Sequence, residues 1–189
     1  MLGDPRRPTL FRPAATGEPG SFGSMTQLAA VVHAPTGPAF TVVLVCHVAA
    51  ALVALVAAAA GGAAAANVLV AKGDPAAWVR SYFSPGVNWV GRALYLVPAF
   101  GAALVAMSKG AYPLGDGWVT SGIGLWVAAT AVAEGFWWPA ERRVQRGLAP
   151  PDGTGVAPGA RRACRTMCAS TTGVVALVVA AMVVMVAKP

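Results

Sequence analysis

The sequence predicts an all-α polytopic membrane protein built as a four-helix transmembrane bundle. Three observations carry that expectation. First, 57% of the 189 residues are hydrophobic and only 11% are charged, whereas a soluble domain carries roughly a quarter charged residues. Second, the apolar residues fall into four long runs, at about 40–70, 86–107, 118–139 and 166–187. Each matches or exceeds the roughly 20 residues needed to cross a bilayer. Third, the net charge of +7 comes from Lys and Arg that flank these runs. That distribution reads as membrane topology, and no basic–aromatic motif points to nucleic acid.

Residues 1–39 are rich in Pro, Gly and Ala without sustained periodicity, the composition of a disordered tail. Met25 is an alternative start, and His33 is expected to be solvated there. The run 40–70 follows. Its second half is almost wholly Ala and Gly, residues that let helix backbones approach closely in lipid. An Ala-rich end also resembles a cleavage region. The long tail without adjacent charge favours a retained span instead.

The connection 72–85 carries the turn signals Asp74-Pro75 and Ser84-Pro85. Between them, 76–83 reads either as a loop or as a short interfacial helix. In the second case Trp78, Tyr82 and Phe83 sit at headgroup level with Arg80 toward phosphate. The run 86–107 contains Pro98, which a membrane helix tolerates where a neighbour satisfies the freed carbonyl. A brief connection, 108–117, makes it an antiparallel hairpin with the run 118–139. The latter ends on the aromatic pair Trp137 and Trp138.

The segment 141–165 reads as the longest internal loop, with six arginines around a Pro/Gly linker. The run 166–187 closes the chain. Lys72, Arg80 and those six arginines lie on one side of the spans, against Lys109 and Lys188 on the other. The 141–165 segment is therefore expected in the cytoplasm and both termini outside, in a bacterial inner (plasma) membrane. The Ala-, Val- and Arg-rich composition, with one Ile and three Lys, suits a GC-rich bacterial genome.

Two ionisable residues interrupt the spans, Arg92 and Glu134. Each lies about 8–9 Å from the cytoplasmic end of its helix. They share one depth on adjacent antiparallel helices, so an intramembrane charge pair is expected. The alternatives are snorkelling to the interface and a proton or ion pathway. His47 is the one histidine within a span, and a polar contact with Asp116 at the start of the third span is expected. Haem or copper ligation by His47, with Met107 as second ligand, is a further alternative. Cys164 and Cys168 share a helix face without the further ligands zinc needs. No nucleophilic triad, phosphate loop or HExxH appears, so no catalytic residue, metal or cofactor is expected.

The stretches CHVAAAL, NWVGRALYL and EGFWWPAERR give 40–146 a resemblance to a family of small four-span bacterial membrane proteins, domain of unknown function 2269. Members often follow the early histidine with Trp and then Gly-Gly; here those places hold Ala and Val. The resemblance implies a topology and no established activity. The functional expectation is a non-catalytic accessory, assembly or scaffold subunit in the lipid bilayer, packing with partner helices or with itself. A small proton- or ion-linked transporter using Arg92 and Glu134 is the alternative.

Overall fold

The computed structural model describes residues 37–71, 74–148 and 157–187. Most of the expected N-terminal tail, with Met25 and His33, lies outside the described residues, as do Lys72 and Lys188. The described chain is all-helical, and four of its helices are long and apolar enough to span a membrane.

Helix α1, Pro38–Val70, opens with a proline in its first turn, where the missing N–H has no intrahelical partner to lose. Its 33 residues reach about 50 Å, more than one bilayer thickness. Ala50, Ala54, Ala57, Gly61, Ala64 and Val68 are buried along it, in alternating steps of four and three. That is the spacing of a close-packed helix seam.

The last helix, α6 (Pro158–Ala187), answers with Ala160, Cys164, Met167, Thr171, Val174 and Val178, all buried in the same rhythm. The two seams run antiparallel. Arg161 reaches the Ala71 carbonyl at one end, and the Cys168 thiol lies 3.6 Å from the Gly62 carbonyl further along. A Cβ on Gly61 would stand 2.7 Å from the Tyr82 hydroxyl and 3.0 Å from Met167, so a larger residue here would force those side chains to shift, and glycine lets the helices approach closely.

Between α1 and the second span lies a short helix, α2, Ala77–Tyr82. Val79 and Phe83 are buried and Tyr82 turns into the bundle. Trp78 and Arg80 keep outward positions, and Arg80 pairs with Asp74 at 3.6 Å. The headgroup-level placing of Tyr82 and Phe83 is thus corrected: their rings fill the space that the small residues of α1 leave open.

The second span starts later than its apolar run. Residues 86–89 are non-helical. A 3₁₀ turn, Val90–Tyr95, then leads into α3, Leu96–Met107. Pro98 has no N–H for the Leu94 carbonyl one turn back. The Trp126 indole donates to that carbonyl instead, at 3.0 Å. After α3, Ser108 caps the turn by bonding the Tyr112 amide, with Lys109 and Gly110 in the left-handed region.

The third span is longer than expected. Helix α4, Gly117–Val132, passes through one widened π turn, Ala133–Trp137, into α5, Trp138–Gly147. The cause is local. Pro139 lacks an N–H, and its ring crowds the carbonyl a turn back. The Trp138 amide bonds the Ala133 carbonyl, five residues away. The helix bulges at the proline and continues past it. The expected end at Pro139 is therefore corrected to Gly147, and the last helix begins at Pro158, not 166. The six arginines belong to helical ends: Arg142, Arg143 and Arg146 to α5, Arg161, Arg162 and Arg165 to α6.

Candidate functional site

The two irregular turns, Val90–Tyr95 and Ala133–Trp137, face each other near one end of the bundle. Such departures from α geometry often mark functional positions. Here they bring a polar cluster together.

Arg92 places its guanidinium carbon over the Trp138 ring, 3.6 Å from the centroid. Trp138 is 1% exposed, and a desolvated cation–π contact of this kind contributes about 2 kcal/mol. Tyr95, three residues on, packs its ring against Trp138 and donates its hydroxyl to the Glu134 carboxylate. The sequence-predicted residues Arg92 and Glu134 thus share one cluster, but no ion pair within 4.0 Å joins them. Among the described residues the one ion pair is Arg80–Asp74. Tyr95 stands between the two charges. The direct pair is corrected on geometric grounds, because the indole face draws the guanidinium one way and the phenol holds the carboxylate another.

A second carboxylate was not singled out from the sequence. Glu141, on α5, is 4% exposed. It accepts a hydrogen bond from the Asn88 amide at 3.1 Å, and the same amide lies 3.1 Å from the Tyr82 hydroxyl. Asn88 Oδ1 in turn accepts from the Gly91 amide at 3.3 Å, capping the 3₁₀ turn. Arg92 and Arg142 are near enough to attract Glu141 electrostatically. Burial, and Glu141 beside it, hold the Tyr82 phenol well above the usual tyrosine range. Tyr82, Asn88 and Glu141 tie α2, the entry to the second span and α5 into one end-plate.

Two adjoining cavities flank the cluster and share Trp89 and Val90. One, about 470 Å³, runs between Val56 of α1 and Tyr82, Asn88 and Gln145. The other, about 540 Å³, is lined by Val53, Arg92, Tyr95 and Leu96. Both are mainly apolar and open outward. Glu134 itself is exposed, on the outer face of the bundle.

His47 does not meet Asp116. Its Nδ1 lies 2.9 Å from the Val97 carbonyl, and its ring rests on Gly101. Asp116 precedes the first residue of α4 without a side-chain cap bond. This too is a correction, since the missing side chain at Gly101 gives the imidazole a closer resting place on α3. Cys164 is buried in the α1–α6 seam, and Cys168 lies against Gly62.

Span lengths, composition and bundle packing define a multi-pass α-helical membrane protein. No family model matches the chain, and no curated protein or solved structure matches it.

Proposed function

We propose that the protein is a non-catalytic accessory or scaffold subunit of a membrane assembly, with the Arg-rich ends of α5 and α6 in the cytoplasm of a bacterial cell. The single observation that supports this reading most is the outward-facing Tyr95–Glu134 pair. Polar groups turned toward hydrocarbon cost a few kcal/mol and act as glue between helices when a partner covers them. The interior gives further support. The buried hydroxyls of α6, Ser170 and Thr171, bond carbonyls of their own helix, so they are spent on packing. The resemblance of 40–146 to a four-span family is consistent with such a role and supplies no activity.

Direct extraction from native membranes into lipid nanodiscs tests the proposal. A particle larger than one chain, held together by a second subunit or a second copy, is expected. A monomer alone in lipid overturns it. A second reading, a small ion-linked carrier, is favoured by one observation: Arg92 and Tyr95 line a cavity beside Glu134. Uptake by proteoliposomes that is lost in Glu134→Gln would support the carrier.

A further inference from the structure

The Tyr95–Glu134 face has an unbalanced charge at a definable depth. The second span comprises six 3₁₀ residues and twelve α-helical ones. At about 2.0 and 1.5 Å per residue they cover about 30 Å, the thickness of the hydrocarbon layer. Val90 therefore sits close to one boundary, and Tyr95 lies about 10 Å inside it. Its acceptor Glu134 is at the same level, exposed on the perimeter. The partner it has there is a neutral phenol. Arg92 stacks on Trp138 instead and also faces the second carboxylate, Glu141. Glu141 has both Arg92 and Arg142 near it, whereas no cation lies within 4.0 Å of Glu134 among the described residues, so Glu134 is the carboxylate left uncovered on the perimeter.

We infer that this face receives a transmembrane helix of another protein that carries a Lys or Arg side chain about 10 Å below the same interface. The inference rests on the accessory-subunit reading and gives it a partner chemistry. Three features support this occupant over others. A cation on a helix neutralises Glu134 without disturbing the Tyr95 bond. An amine of a lipid headgroup belongs at the interface, about 10 Å too shallow. A second copy of this chain is poorly suited, because Arg92 is the sole Lys or Arg within the apolar runs 40–70, 86–107, 118–139 and 166–187 and already lies on Trp138 in this same cluster. The cavity of about 540 Å³ beside Tyr95 provides the concavity into which a side chain of the arriving helix fits.

The experiment uses the full chain in native membranes, with photoreactive benzoylphenylalanine at Phe136, which is 58% exposed and two residues from Glu134. A second probe at Val45 of α1, 61% exposed, reports on another face near the opposite end of the bundle. A crosslink at Phe136 to a membrane helix of a different protein is expected, the sequenced peptide carrying Lys or Arg at matching depth. Glu134→Gln, which keeps an acceptor for Tyr95, should lower the crosslink yield about tenfold, as for the loss of a 1–2 kcal/mol contact in lipid. Glu134→Lys should abolish the crosslink, and the reciprocal Lys/Arg→Glu change in the partner should restore it. Thermal unfolding of each variant in detergent confirms that it still folds. A crosslink to lipid only, to a second copy, or to a helix without a basic residue overturns the inference, as does a yield insensitive to Glu134→Gln. Protein crosslinks at Val45 with none at Phe136 would leave the accessory reading standing and sink this one. Lipid adducts alone at both positions would remove both.

Discussion

Gly61 shows how much one side chain decides. A Cβ there would stand 2.7 Å from the Tyr82 hydroxyl, 3.0 Å from Met167 and 3.3 Å from the Trp137 indole nitrogen. The Tyr82 ring cannot retreat without breaking its contact with Asn88. Gly61→Ala should cost about 1–3 kcal/mol by overpacking. Gly124→Ala, where nothing lies within 4 Å, should gain up to about 1 kcal/mol of helix propensity. Denaturation of both variants in mixed micelles checks the contrast. Glu141 allows a second comparison. Glu141→Ala leaves the Asn88 amide short of an acceptor and should cost about 1–3 kcal/mol. Glu141→Gln retains an acceptor and should cost less, again read from the unfolding midpoint. Pro98 was legible in the sequence as a break in the second span, and Trp126 was not singled out there. Their connection through the Leu94 carbonyl was not legible, because it joins residues on different helices.

At the scale of the element, the π turn controls which way the third span points its carboxylates. Glu134 and Glu141 are seven residues apart, which in an unbroken α-helix places them on one face. The turn at Ala133–Trp137 adds a residue to the helix phase. Glu134 then faces outward while Glu141 is buried. Periodicity alone could not separate them. Pro139→Ala restores a backbone donor and should let the bulge close, rotating α5 against α4. The expected result is slower amide exchange around 134–139 together with a loss of about 1–3 kcal/mol, since either Glu134 or Glu141 must leave its partners. Hydrogen exchange with mass spectrometry measures the first and thermal unfolding the second. If the exchange rates stay unchanged, Pro139 is not what holds the turn open.

Across the whole molecule, one end carries the polar end-plate while the long α1–α6 seam holds the rest. Tyr82 makes that end sensitive to high pH. Its phenol keeps the proton to a higher pH in the folded chain than in the unfolded one, where it titrates near pH 10. The folded state therefore binds the extra proton above that point. Stability should be fully present below about pH 10 and decline as pH rises further. Unfolding followed from about pH 8 to pH 11.5 should show this decline, and Tyr82→Phe should reduce it. A wild-type curve identical to that of Tyr82→Phe would mean the phenol titrates normally.

The number of spans and the all-α class were written in the chain's composition, because only continuous apolar runs satisfy both lipid and backbone. The expected common depth of Arg92 and Glu134 rested on span ends at Gly86 and Pro139, whereas the helices begin at Val90 and run on to Gly147. The direction each charge faces was decided only in three dimensions. It depended on a proline-induced π turn, a 3₁₀ entry to the second span, and aromatic rings from other helices that supply a surface for Arg92 and a donor for Glu134. Linear spacing gives depth along a helix, while azimuth depends on local winding and on neighbours. For that reason the expected Arg92–Glu134 and His47–Asp116 pairs gave way to contacts through Trp138, Tyr95 and the Val97 carbonyl, and Glu141 emerged as the buried centre of the site.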